Sequence, residues 1–293
     1  MNSSALAGLT FSAVGAGRVG ASLATWATAA GARLTRVAGR DAGETAAALT
    51  RRLGGQAVAL DALETGGDDF LIVAVPDPAL DEVALRLSGH RQAHVVWHTS
   101  GARDASALAA LRPRGSEVGS LHPLHAFPAL QPLPEPATFF AIDGDPRALA
   151  LARRAVAAWD GTCAEVPADC RRLYHLGAWL SAGGVATLAA AAGALARRLG
   201  LPDAVAAGYR HLALGAVAAL EGTDPAARIT GPVARGDAAL VLGQIEELER
   251  AAPELVALVR EVGLQTLREI DRSRGLDERQ NTLREALGGR LIP

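Results

Sequence analysis

One short turn constrains this chain more than any other feature. Thr10 to Val14 reads as an apolar strand, Arg18 to Ala30 as a helix closed by Gly31, and Gly15-Ala16-Gly17-Arg18-Val19-Gly20 joins them. Each glycine of this GxGxxG has a separate physical task. The first permits a tight turn, the second lets a bound phosphate approach the backbone, and the third lets helix and strand pack closely. The helix that follows offers unpaired N–H groups and the positive end of its dipole to an anion. A glycine-rich turn at the first strand-to-helix junction implies a nucleotide pyrophosphate, and the alternative is a merely structural turn.

The rest of the first half repeats the rhythm. Arg33–Ala38, Gln56–Leu60, Phe70–Val75, His94–His98 and Glu117–Leu121 read as strands, and helical patterns fall between several of them. FLIVAV at 70–75 is a near-continuous apolar run, as expected of a strand buried on both faces. Asp41 with Glu44 reads as a capping box for the second helix. His122–Ala137 contains five prolines and reads as a long semi-rigid loop. Thr138–Asp143, a helix begun by Asp145-Pro146, and a strand over Thr162–Val166 complete this half. From Asp169 onward only helices are expected. The fold class is therefore α/β, with a Rossmann doubly wound, mainly parallel sheet over 1–168 and an all-helical domain over 169–293.

Composition excludes several chemistries. With 49% hydrophobic and 20% charged residues the chain is globular, and a net charge of −2 gives no general attraction to nucleic acid or anionic membranes. All 29 basic residues are arginine. Without lysine there is no Schiff-base amine, P-loop amine or lysine general acid. Cys163 and Cys170 have no CxxC spacing and suggest no disulfide framework. No basic region followed by an apolar core opens the chain, so the expected location is the cytoplasm. Leu176–Ala196 has no charged residue and nominally matches a membrane span. Its Ala/Gly content favours a helix enclosed by protein, with no membrane partner.

The end of the second strand bears on the cofactor. Arg40 stands twenty positions after Gly20, where NAD-binding chains usually place an acid. A guanidinium suits the 2′-phosphate of NADP(H). The competing assignment leaves Arg40 in solvent and gives the ribose to Asp41. Ligands of such sheets sit beyond the carboxyl ends of the strands. There the chain places Val75-Pro76-Asp77, His98-Thr99-Ser100-Gly101 and His122-Pro123-Leu124-His125. Pro76-Asp77 equally suits the start of a helix. A metal site at His122 and His125 would need His98 or His175 as a third ligand, and no metal is expected. Tyr174-His175 near the start of a long helix suits general acid chemistry or a packed aromatic pair. In Thr230–Asp237 (TGPVARGD), Arg235 suits a substrate carboxylate or an internal ion pair, and Asp237 a helix cap.

Taken together, GAGRVG, VPD, HTSG, HPLHAF, YH and TGPVARGD resemble the Rossmann-like NADP oxidoreductases that carry a C-terminal DUF2520 domain. Within the wider class the chain is similar to pyrroline-5-carboxylate reductases, 3-hydroxyacid dehydrogenases and ketopantoate reductases. The resemblance implies a 6-phosphogluconate-dehydrogenase-like arrangement, a cleft between the domains and a homodimer formed through the helical domain. It further implies that His122, Ser100, Tyr174, His175 and Arg235 converge on the nicotinamide. The cofactor contacts would come from Gly15, Ala16, Gly17, Arg18, Val19, Gly20, Arg40, Val75, Pro76, Asp77, Thr99 and Ser100.

The expected activity is NADP(H)-dependent reduction of a small carboxylate-bearing 2-oxo acid or imine, with a ketopantoate-like substrate suggested by family analogy. Two departures stand against it. The hydroxyacid dehydrogenases use a helix lysine, whose place His175 would take. Relatives commonly carry an asparagine eight positions after the Tyr-His histidine, where this chain has Gly183. The second expectation is accordingly an NADP(H)-binding sensor or regulator with little or no turnover.

Overall fold

The computed structural model describes residues 4–39, 43–90, 92–130 and 133–288. The chain divides into two compact units, one running to Ala182 and the other starting at Gly183. Asp169, where the sequence turns to helices alone, lies inside the first unit.

The first unit alternates strands and helices. In chain order these are β1 (Thr10–Val14), α1 (Arg18–Ala29), β2 (Arg33–Gly39), α2 (Glu44–Leu53), β3 (Gln56–Ala59), β4 (Phe70–Val73), α3 (Asp77–Leu87) and β5 (Val95–His98). A 3-10 segment (Ala105–Arg114) follows, then β6 (Glu117–Leu124), β7 (Phe139–Gly144), α4 (Pro146–Ala158), β8 (Thr162–Glu165) and α5 (Arg171–Trp179). The strands form one sheet in the order β3-β2-β1-β4-β5-β6-β7-β8. Every neighbouring pair is parallel except β6 and β7. This is the doubly wound, mainly parallel sheet expected from the sequence. Its strand order reverses between β1 and β4, which opens a crevice at their carboxyl ends.

Period-two alternation along the buried strands supplies a core on each face. Phe11, Phe70, Ile72, Val95 and Trp97 join one cluster, whereas Val14, Leu71, Val73, Val96 and Val118 join the other. Aromatic rings fill the first cluster. Phe11 stacks on Phe70 with centroids 5.0 Å apart, and Trp159 meets both Phe140 and Trp26. Ser12 and Thr35 donate to buried Asp68, at 2.6 and 2.8 Å, which satisfies that carboxylate between the first strands.

Some local expectations fail for identifiable reasons. β6 does not end at Leu121 but continues to Leu124, so His122 lies on a strand and not in the proline-rich loop. Pro123 is tolerated because β5 pairs only as far as Ser120, leaving β6 bonded beyond that point to β7 alone. Helix α2 begins at Glu44 with Gly43 as its cap. Asp41 itself lies outside the described residues. Asp145 precedes α4 without capping it. Its carboxylate instead accepts from the Val118 N–H and pairs with Arg112.

The helical stretch Ala168–Arg198 comprises α5, a π-helical turn (Leu180–Gly184) and α6 (Val185–Arg198). The sequence suggests a helix enclosed by protein, and this is corrected. Its most apolar window is only 6% buried, and Leu173, Trp179 and Leu180 are 73%, 53% and 57% exposed. By length and composition the stretch is apolar enough to cross a membrane. The cause is the side chains themselves. Gly193 and Ala196 bring α6 against Ala206 of α7 (Asp203–Ala218), and the larger apolar residues fall outside that contact. The rest of the second unit is α8 (Ala238–Ala251), α9 (Val256–Arg274) and α10 (Glu278–Gly288), packed through Val241, Ile245, Leu264, Leu267 and Leu283.

Candidate functional site

The glycine turn leaves β1 at the switch point. Gly15 sits at φ +90, and a Cβ there would come within 2.3 Å of the Ala74 carbonyl oxygen. A Cβ on Gly20 would lie 2.0 Å from the Gly15 oxygen. Both positions are closed to any side chain. Gly17 is the opposite case, with nothing within 4 Å of where a Cβ would stand. Helix α1 has neither a side-chain cap nor an acid in its first turn, so its leading N–H groups and dipole are not neutralised there. The turn is thus held rigidly on one side and open on the other, a donor set that fits a dinucleotide pyrophosphate. Ala16 and Val19 are half-buried against the core, and exposed Arg18 donates to the Pro128 carbonyl at 3.1 Å. A cavity of about 320 Å³ flanks the turn, lined by Gly17, Arg18, Thr45, Arg52 and Leu130 among others. Arg40, the residue chosen for a 2′-phosphate, lies outside the described residues.

The neighbouring strand ends complete the rim. Val75 is half-buried, Pro76 caps α3, and Asp77 is the first residue of that helix. The Thr99 N–H donates to the Val73 carbonyl, which fixes the loop after β5. His98 is fully buried. Its Nδ1 accepts the Ser100 N–H at 3.2 Å, so Nε2 carries the proton and donates to the Asp104 carbonyl at 2.9 Å. Burial, reinforced by the Arg171 charge, pushes its pKa down to about 4. With both ring nitrogens engaged, His98 is a brace for the loop. The Ser100 hydroxyl oxygen accepts from the Ala102 and Arg103 N–H groups and braces the same loop. Among the described residues, no group of three His, Cys, Asp or Glu is placed to hold a metal.

Beyond this loop the structure brings His122, Tyr174 and His175 together. The Tyr174 hydroxyl and His122 Nδ1 are 2.8 Å apart, with the rings edge to face. The His122 and His175 ring centroids are 6.0 Å apart. Gly101 lies beneath both imidazoles. A Cβ on it would stand 2.7 Å from His122 Nε2 and 2.7 Å from His175 Cδ2. Desolvation, aided by the His175 and Arg171 charges, pushes the His122 pKa down to about 4, and burial pushes Tyr174 up to about 12. Near neutral pH the pair is therefore a neutral imidazole and a neutral phenol. One tautomer has Nδ1–H donating to the phenol oxygen, which leaves the phenolic proton for a ligand.

One residue of this site was not legible. Arg171, three positions before Tyr174 on α5, is 1% exposed. The Arg-Arg pair that opens YH's helix is its only trace in the sequence. Of the remaining candidates, His125 stands off the strand 3.8 Å from Glu135. Arg235 is exposed on the turn before α8 in the second unit. That turn is fixed by Gly236, which has no room for a Cβ against Arg279, and by Gln280 donating to the Ala234 carbonyl. Asp237 caps α8 by accepting the Leu240 N–H. Gly183 lies in the π-helical turn.

The order β3-β2-β1-β4-β5-β6 within the eight-stranded sheet, with an open glycine turn, defines the class as a dinucleotide-type α/β fold joined to helices. Residues 3–123 match the Rossmann-like domain, and residues 138–266 match the domain of unknown function DUF2520. The chain thus carries a Rossmann-like domain followed by a DUF2520 domain, as its motifs imply. No curated protein matches it. Solved structures share the fold. Protein BF3122 from Bacteroides fragilis is 19% identical with a TM-score of 0.73, covering 90% of this chain and 99% of that one. A reductive aminase from Aspergillus terreus, solved with NADPH and ethyl-5-oxohexanoate, is 17% identical with a TM-score of 0.64, covering 93% and 97%. A pyrroline-5-carboxylate reductase from Coxiella burnetii is 15% identical with a TM-score of 0.56, covering 86% and 98%.

Proposed function

We propose that this protein is an NADP(H)-dependent reductase of a small 2-oxo acid or imine that bears a carboxylate. The observation that carries the reading is the neutral Tyr174–His122 pair, 2.8 Å apart, above the same sheet edge as the open glycine turn. The fold shared with an NADPH-bound reductive aminase and a pyrroline-5-carboxylate reductase supports the reaction class. A bound nicotinamide supplies the hydride. Residues Gly15 to Gly20 hold its pyrophosphate, Arg40 the 2′-phosphate, and Val75, Pro76, Asp77, Thr99 and Ser100 border the rim. Tyr174 gives a proton to the substrate oxygen or nitrogen, and His122 holds the phenol. His175 stands beside the pair, its ring centroid 6.0 Å from that of His122. A ketopantoate-like substrate has the required groups.

The test follows NADPH consumption, by its near-ultraviolet absorbance, against a panel of 2-oxo acids and cyclic imines. Turnover of one carboxylate-bearing class that Y174F abolishes is the expected result. The helical stretch bears on assembly. Leu176, Trp179 and Leu188 are exposed, and an apolar cavity of about 540 Å³ in the second unit has Leu188, Leu195 and Val241 in its wall. These features support a homodimer through the helices. A second reading rests on Gly183 and Gly184, which offer no side chain from the end of the π-helical turn. Binding of NADPH with no turnover of any panel member is the behaviour of a sensor.

A further inference from the structure

Among the described residues, Arg171 is the most heavily buried charged side chain of the first unit. At 1% exposed, it donates Nε–H to the Val166 carbonyl at 3.2 Å and Nη1–H to Ser120 Oγ at 3.0 Å. Ser120 in turn donates to the Ser100 carbonyl at 3.4 Å, which ties the guanidinium to the rim loop. Nη2 is buried with no hydrogen-bond partner, and among the described residues no carboxylate lies within ion-pair distance of this side chain. A buried cation with no carboxylate in contact, offset only by the more distant charges of Asp143 and Asp104, is costly, and packing alone gives no reason to keep one. Its position on α5 supplies a reason. Tyr174 and His175 follow at i+3 and i+4, on the same helical face.

We propose that Arg171 is a positioning residue for Tyr174, a fixed buried charge that favours release of the phenolic proton by stabilising the tyrosinate left behind. The inference rests on the reductase reading and assigns the source of its proton. Hydride from a reduced nicotinamide dinucleotide forms the new C–H bond, and the C=O or C=N π pair takes the Tyr174 proton, forming O–H or N–H. The phenolate then accepts from Nδ1–H of His122, within the field of the Arg171 charge, until a solvent proton restores it. Arginine stays charged under all conditions of turnover, so the device needs no proton of its own. The other groups facing the pair do not replace it. His122 on β6 and His98 on β5 are held neutral, His175 is exposed, and Asp143 on β7 and Asp104 accept the Ala105 and Ser106 N–H groups. The Arg171 charge opposes the burial that raises the Tyr174 pKa.

Only two tyrosines occur in the chain, which makes the test direct. Replacing both with a difluorotyrosine, whose phenol is more acidic, brings their ionisation into a pH range where the fold holds. Fluorine NMR then reads each midpoint, with Y209F assigning the signals. R171Q keeps hydrogen-bonding groups and removes the charge, whereas R171K keeps the charge. The Tyr174 midpoint should rise by about one pH unit or more in R171Q and stay near the parent value in R171K. Turnover should fall by about tenfold or more in R171Q, with KM changed far less, and recover in R171K. An unchanged midpoint in folded R171Q overturns the proposal.

Should R171Q not fold, R171K decides. Its amine titrates, so the Tyr174 signal should show a second inflection, and a single-step curve overturns the proposal. The two readings fail separately. A shifted midpoint without any substrate turnover removes the reductase and leaves the electrostatic coupling standing. Turnover with a flat midpoint removes only the role of Arg171.

Discussion

Gly101 shows how a single backbone position sets the chemistry. Its missing Cβ is what lets two imidazoles close over the loop after β5. G101A should leave the fold intact, because the clash falls on side-chain rings. It should lower turnover by roughly a hundredfold, since a displacement near 1 Å at reacting groups costs about that much. Circular dichroism together with steady-state rates checks both halves, and unchanged turnover would contradict the geometry. Y174F should lose roughly 10²-fold to 10⁴-fold in kcat, the usual worth of a positioned proton donor. His122 adds a pH test. With its pKa near 4, the imidazole is already neutral at pH 6, so the rate should show no acid limb between pH 6 and 8. An inflection near the ordinary histidine value that H122N removes would contradict this assignment.

Much of this was legible one residue at a time. HTSG, HPLHAF and YH each presented a polar group at a strand end or helix start, where α/β sheets collect ligands. Arg171 was hidden for a compositional reason. When every basic residue is arginine, RR at a helix start looks like any other surface pair, and only the packed structure shows that one of the two is buried.

At the scale of elements, β6 is the instructive case. Proline density made His122–Ala137 read as loop, yet Pro123 sits at a place where the strand has lost its β5 neighbour and bonds to β7 alone. That extension puts His122 on a paired strand opposite Ala141 and fixes its ring for Tyr174. Helix α5 and its continuation failed differently. Their Ala/Gly pattern identifies a helix that packs closely, but it does not specify what covers Leu173, Leu176, Trp179 and Leu180. The homodimer proposed above would place a second copy there. Sedimentation of the parent at micromolar concentration should give a dimer, and L176E with W179E should give a folded monomer. A monomeric parent would contradict the assignment.

At the scale of the whole chain, the period-two apolar runs and the glycine turn were enough to specify the sheet, because they dictate which strands are buried and where the first crossover begins. The same buried sheet makes stability depend on pH. His98 and His122 have folded pKa values near 4, below the ordinary 6.5, so the unfolded chain binds more protons in between. Their stabilising effect is complete above about 6.5 and is lost as pH falls from there through 4. For fully buried His98 the loss is roughly 3 kcal/mol. Urea midpoints should drop over that window and drop less in H98N.

The account depends most on the open turn at Gly15 to Gly20, and calorimetric titration of the purified protein with NADPH and NADH tests it most directly. NADPH should bind one per chain and at least about tenfold more tightly than NADH, as a guanidinium partner for the 2′-phosphate requires. Binding of neither dinucleotide would contradict the redox assignment, and tighter binding of NADH would contradict the role given to Arg40.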